Sequence, residues 1–170
     1  MIEKRETGNG QGENVFAGVA GALLFSTVGG GMWYLLYRVG FLAGISGLAG
    51  VFAAVYGYRL FAGKQSVRGV VISVTAAVIM LIAAWYLCLA TDVYNVYKNG
   101  FASGSLDAEL TFAQALSISY TYLEDKDIAF SYLKDLGLGL VLCTWASFST
   151  LKNILKAAKQ TETEPEQTEE

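Results

Sequence analysis

Apolar residues fall along the chain in four long blocks separated by short polar or charged breaks. From Asn14 to Tyr37 no charge occurs for 24 positions, roughly 36 Å of helix at 1.5 Å per residue, enough to cross a bilayer core. Only Arg38, Val39 and Gly40 interrupt before the next apolar run, which continues to Tyr58. The chain must therefore fold straight back, and Gly40 supplies the conformational freedom for so tight a turn. Arg59, Lys64, Gln65, Ser66 and Arg68 form a short basic connection, after which Gly69 to Thr91 is apolar for 23 residues. These three blocks predict spans at about 14–37, 40–61 and 69–91.

Beyond Asp92 the residues Asn95, Lys98, Asn99, Gly100, Ser103, Gly104 and Ser105 mark an exposed, turn-rich stretch. Thr111 followed by Gln114 has the spacing of a capping box, and Phe112, Ala115, Leu116, Ser119, Tyr122 and Leu123 recur at helical intervals. This predicts a short amphipathic surface helix at about 111–123. Asp125 or Asp127 is placed to cap a last helix whose uncharged part, Leu136 to Leu151, is only 16 residues long. Lys134 and Lys152 extend its reach by snorkelling, giving a fourth span at about 135–152. The expected fold is all-α: a polytopic membrane protein of four transmembrane helices, with an amphipathic helix in the outer loop between spans three and four. A polar N-terminal tail at 1–13 precedes the transmembrane domain at 14–158. The acidic tail at 159–170, with Pro165 and no large apolar residue, is expected to be disordered.

Composition agrees: 54% of the 170 residues are hydrophobic and 16% charged, with a mean hydropathy of +0.41. A soluble core this small cannot hide such an apolar excess. There is no histidine, which removes the commonest general acid/base and metal ligand. Cys88 and Cys143 lie in separate apolar blocks, so neither a CxxC pair nor a multi-cysteine metal site can be written. A membrane serine protease of the rhomboid type needs a membrane histidine, and an aspartyl type needs two membrane aspartates; the spans supply neither. No cofactor or metal is expected, and the chain is not expected to be an enzyme.

Lysine and arginine set the orientation. With the N terminus inside, Lys4, Arg5, Arg59, Lys64, Arg68, Lys152, Lys156 and Lys159 are cytoplasmic, eight against the four of Arg38, Lys98, Lys126 and Lys134 outside. Both termini are expected in the cytoplasm. Trp33, Tyr34, Tyr37, Trp85 and Tyr86 fit an outer aromatic belt, and Tyr56, Tyr58, Phe61 and Phe148 an inner one. The basic residues follow the bilayer edge, where anionic lipid explains them; nucleic acid is not an expected partner.

The most specific pattern is one of small residues. Gly18, Ala22, Ser26 and Gly30 fall every four positions in span one, and Gly40, Ala43, Gly47, Gly50, Ala54 and Gly57 alternate three- and four-residue steps in span two. These ridges are expected to face each other in a closely packed hairpin, or to serve homo-oligomerisation through the same faces. Gly29, Gly30 and Gly31 either unwind span one, as in the broken helices of transporters, or make room for span two. Arg38 and Asp92, at similar depth near Tyr34 and Tyr86, form the one polar cluster the spacing suggests; the alternative is a solvated acid and a snorkelling arginine.

The segments Gly57-Tyr58-Arg59-Leu60-Phe61-Ala62-Gly63-Lys64 and Tyr132-Leu133-Lys134-Asp135-Leu136-Gly137, around the glycine-rich hairpin, resemble those of small bacterial four-span membrane proteins of unassigned function. The resemblance covers about residues 14 to 155, implies a bacterial inner-membrane setting and supplies no active-site residues. Small multidrug exporters, which need a membrane glutamate in span one, are a poorer match. The expected role is a non-enzymatic scaffold or accessory subunit of a membrane complex, partnered by the lipid bilayer and by a further membrane protein or a second copy. The alternative is a small oligomeric transporter or channel.

Overall fold

A computed structural model describes residues 13–40 and 43–163. Among them the secondary structure is entirely helical: α1 (Val15–Val39), a 3-10 turn (Ala43–Ile45), α2 (Ser46–Ala62), α3 (Val67–Ala102), α4 (Phe112–Ile118), a second 3-10 turn (Ser119–Glu124) and α5 (Lys126–Thr163). Three helices are long and apolar enough to cross a membrane: α1, α3 and the Lys126–Asn153 part of α5.

Local chemistry sets the ends. Asn14 Oδ1 accepts the Ala17 N–H at 3.1 Å and opens α1, and Ser66 Oγ accepts the Gly69 N–H at 3.0 Å and opens α3. Gly40 (φ 80°) closes α1 and Gly63 (φ 75°) closes α2, both in the left-handed conformation that glycine adopts without penalty. The Thr111/Gln114 capping box forms. Of the two candidate caps for the last helix, Asp125 takes the position, accepting the Asp127 N–H at 2.9 Å.

Several boundaries differ from the sequence reading. The second apolar block, expected to span 40–61, yields a 17-residue α2, because the return from α1 uses Gly40 and a 3-10 turn before the α-helix starts. Helix α3 runs through Asn95, Lys98, Asn99 and Gly100 to Ala102 rather than stopping near Thr91. The expected loop residues are held helical by packing: Val93 is buried and the Tyr94 ring meets Phe112 edge-on at 5.9 Å, while lower on α3 the Tyr86 hydroxyl donates to the Leu116 carbonyl at 2.7 Å. The stretch expected as one helix at 111–123 divides at Ile118 into α-helix and 3-10 turn. Helix α5 starts at Lys126 and stays helical to Thr163, into the tail expected to be disordered; residues 164–170 and 1–12 lie outside the described set.

Helices α1, α2 and α3 pack against one another, and α5 lies against α2 and α3, meeting α1 through side chains. A Cβ at Gly57 would fall 2.5 Å from the Gly21 carbonyl oxygen and 2.7 Å from Phe25, and one at Gly29 would strike the Gly50 Cα. Such backbone contact is how membrane helices gain van der Waals energy where no hydrophobic effect drives them together. It corrects the expected ridge. Gly18, Ala22 and Ser26 are buried, but at Gly30 the ridge meets Met80 and Ala84 of α3. Gly18 faces α2 through the Tyr58 ring, joined by Gly21, Phe25 and Gly29 from outside the expected ridge, because α1 needs small residues on two adjoining faces.

On α2, Gly50 and Gly57 meet α1, whereas Gly47 meets α5, a Cβ there falling 2.7 Å from the Gly139 carbonyl oxygen. Ala54 is buried in the central core, and Gly40 has nothing within 4 Å. Ala43 opens the 3-10 turn, and its side chain lies outside the described set.

Aromatic side chains fill what the glycines leave. Trp33 of α1, 0% exposed, reaches between α2 and α3, so that a Cβ at Gly139 of α5 would fall 2.7 Å from its ring. Trp85 is buried in the same core, and Tyr58 is enclosed between Gly18 and Gly69. These three, expected in aromatic belts, are interior; Tyr56, Phe61 and Phe148 do face outward.

Gly29 and Gly31, two residues apart, should respond oppositely to alanine. Gly29→Ala forces the α1 and α2 backbones apart and should cost about 1–3 kcal/mol. Gly31 has open space around it, so Gly31→Ala should be neutral or stabilise by about 0.5–1 kcal/mol through helix propensity. Thermal unfolding in detergent gives both signs.

Candidate functional site

Polar side chains gather at the two ends of the bundle. At one end Asp92 of α3 faces Tyr37 and Arg38 of α1 and Tyr132 of α5. The Tyr37 and Tyr132 hydroxyls both donate to Asp92 Oδ2, each at 2.6 Å. Their rings lie 5.9 Å apart, and the Trp85 Nε1–H holds the Tyr132 carbonyl at 2.9 Å. Arg38 approaches Asp92 Oδ1 at 3.8 Å, with the two side chains 47% and 33% exposed. Such an open, long ion pair contributes little, about 0–1 kcal/mol. Hydrogen bonds to a charged acceptor contribute about 1.5–3 kcal/mol each, so the phenols hold this cluster together.

The expected tyrosines are not the ones used. Tyr34 packs against the core, and Tyr86 is committed to Leu116. Tyr37 takes the place of Tyr34 one turn further along α1. Tyr132 was hidden from the sequence reading because it precedes the span expected at 135–152, and no local spacing ties it to Asp92, 40 positions away. Asp92 stands clear of the negative end of the helix dipole, since α3 continues ten residues beyond it and the dipole acts within the last turn.

At the other end Glu13, assigned by sequence to the polar tail, closes a second cluster. Its Oε1 accepts the Tyr58 hydroxyl at 2.7 Å and the Ser66 hydroxyl at 2.6 Å, and the Asn14 N–H donates to the Ala62 carbonyl at 3.2 Å. The Ser66 and Tyr58 hydroxyls, with the charges of Arg68 and Lys64 behind them, hold the Glu13 carboxyl below the ordinary glutamate range. One carboxylate thus ties the start of α1 to α2 and to the cap of α3. No local spacing in the sequence signals this contact, which joins residues 45 and 53 positions apart.

Chemically both carboxylates are engaged in joining helices. Cys88 and Cys143 are buried free thiols, and the Cys143 thiol donates weakly to the Gly47 carbonyl at 3.4 Å. The Trp33 Nε1–H is buried with no hydrogen-bond partner among the described residues. No group of three or more Asp, Glu or Cys side chains suited to a metal ion occurs among the described residues. No protein-family model, curated protein or solved structure matches the chain.

The two contacts on Asp92 should separate on mutation. Tyr132→Phe should lower stability in detergent by about 1.5–3 kcal/mol, and Arg38→Gln by no more than about 1 kcal/mol. Glu13 predicts an acid limb. Its folded-state pKa is lowered, so its contribution is full above the unfolded value near 4.5 and is lost as pH falls through the lower folded value. Melting curves between neutral and acidic pH should show this loss in the wild type and a flatter acid limb in Glu13→Gln.

Proposed function

We propose that the chain is a multi-pass protein of a bacterial cell membrane, with four spans and both termini cytoplasmic, acting as a non-enzymatic scaffold or accessory subunit. The 17 residues of α2 and the three of its 3-10 lead-in extend about 32 Å at standard rises. Its contacts with α1 at Gly21 and Gly29 put it at the same depth as that helix, which supports a fourth crossing. The eight-to-four excess of lysine and arginine supports the orientation, with the Glu13 cluster inside and the Asp92 cluster outside. On this placement α4, with Ala115 buried and Phe112 exposed, and the 3-10 turn that follows it, with Tyr120 exposed, lie along the outer surface.

One observation carries the scaffold reading over transport: α1 is continuous through Gly29, Gly30 and Gly31. Gly29 meets Gly50 and Gly30 meets Met80, so two of the three serve packing, and the helix is not unwound to present backbone carbonyls to a solute. Together with carboxylates that hold helices to one another, this favours a part whose surface, rather than its interior, is its working face. Native membranes should yield a partner on pull-down, and proteoliposomes should show no ion or solute flux above empty liposomes. Reproducible flux that vanishes in a folded Asp92→Asn variant would promote a transporter.

Orientation is open to a separate test. The native cysteines are buried and should stay silent toward an impermeant thiol reagent. In intact cells the reagent should modify Ser105→Cys and spare Lys156→Cys; the opposite pattern reverses the topology.

A further inference from the structure

Above the Asp92 cluster, α3, the second 3-10 turn and the start of α5 enclose an open cleft of about 470 Å³, lined by Tyr97, Ile118, Thr121, Tyr122, Asp125 and Ile128. We infer that this cleft binds an alkylammonium group, a primary or quaternary amine carried by a lipid headgroup or by a free small molecule.

The lining selects the charge. Its one ionised side chain is Asp125, and its two rings are phenols, whose faces attract cations. Hydrogen bonding with Tyr97, followed by partial burial, pushes the Tyr122 hydroxyl up to about 12, so Tyr122 stays a neutral phenol at physiological pH. The segment from Asp92 to Asp135 holds seven acidic residues against three lysines, a field that draws cations toward it and repels anions.

The lining also selects an organic cation over a metal ion. Asp125 Oδ1 is taken by the Asp127 N–H at 2.9 Å and the Ile128 N–H at 3.4 Å, leaving Oδ2 for a ligand. One carboxylate oxygen is too few for a hard divalent ion, which asks for six or more oxygens. Ile118 and Ile128 instead offer apolar wall to methyl or methylene groups, which an alkylammonium carries and a metal lacks. Tyr97 lies five residues past Asp92, about 7–8 Å along α3. If Asp92 marks the hydrocarbon edge, as the four-span reading has it, the cleft opens at headgroup level.

The test begins in detergent free of phospholipid, where it does not depend on topology. The whole chain is titrated by calorimetry with choline chloride and with ethanolamine hydrochloride, against sodium chloride at equal ionic strength. Saturable binding in the millimolar range is expected for at least one amine. Asp125→Asn should weaken it about tenfold by removing the charge, while keeping the α5 cap and the melting temperature because asparagine caps as well as aspartate. Tyr122→Leu should weaken it by a similar factor through loss of the ring face. No saturable response, or one that both variants retain in full, would overturn the inference. Nanodiscs then decide the source. If phosphatidylethanolamine added to phosphatidylglycerol nanodiscs abolishes choline binding, the headgroup is the ligand; if choline binding persists, a free amine is.

Discussion

The contact on which the rest of this structure depends is backbone against backbone: α1 meets α2 at Gly21 with Gly57 and at Gly29 with Gly50. In water a helix pair is held largely by removing apolar side chains from solvent, but in lipid that term vanishes between helices and close van der Waals contact must replace it. Side chains on this seam would push the axes apart. With them absent, the pair is thin enough for a residue of α1 to reach past it, and Trp33 does so, ending against Gly139 of α5. The helix whose backbone stays clear of α1 is thereby packed on α1 through this indole, as it is through the Tyr37 and Tyr132 rings at the end of the bundle.

Tyrosine serves a complementary purpose at the ends. Tyr58 fills the space between Gly18 and Gly69 and still delivers its hydroxyl to Glu13, and Tyr37 and Tyr132 lie near each other while both reach Asp92. A ring long enough to cross a helix interface and carrying one donor at its tip lets a carboxylate tie three helices. At Asp92 the guanidinium is too far and too exposed to match two hydroxyl donors at hydrogen-bond distance.

How much of this the sequence shows depends on the range of each interaction. Helical character, the capping box at Thr111 and the turn glycines Gly40 and Gly63 are local, and local spacing reveals them. The small-residue ridge of α1 is legible as a packing surface, but which neighbour each glycine meets is not. Gly29 and Gly30 are adjacent in sequence and face different helices. The end of α3 misleads for the opposite reason: Asn95, Asn99 and Gly100 read as loop, yet they stay helical beside Tyr94, which packs on Phe112 of α4. The polar cluster was half visible. Arg38 and Asp92 do approach, but the hydroxyls that matter come from Tyr37 and from Tyr132, whose helix begins nine residues earlier than its apolar content suggests.

The overshoot of α3 and α5 gives the molecule its asymmetry. Helices α1 and α2 turn back at Gly40, near the level of Asp92, whereas α3 continues to Ala102 and α5 begins at Lys126. The part above Asp92 therefore rests on α3 and α5 alone, and the contacts that hold those two helices together also set the shape of the cleft between Tyr97 and Ile128. Directly below it, the Tyr132 hydroxyl on Asp92 and the Trp85 indole on the Tyr132 carbonyl fix α5 against α3. Any group that bridges Tyr97 to Asp125 tightens the helix pair that this cluster already fastens. If a ligand in the cleft does tighten the Asp92 cluster, linkage makes the reverse hold, and loosening the cluster weakens binding to the same extent. The cleft and the Asp92 cluster thus share the same two helices, α3 and α5, while the glycine seam joins α1 to α2.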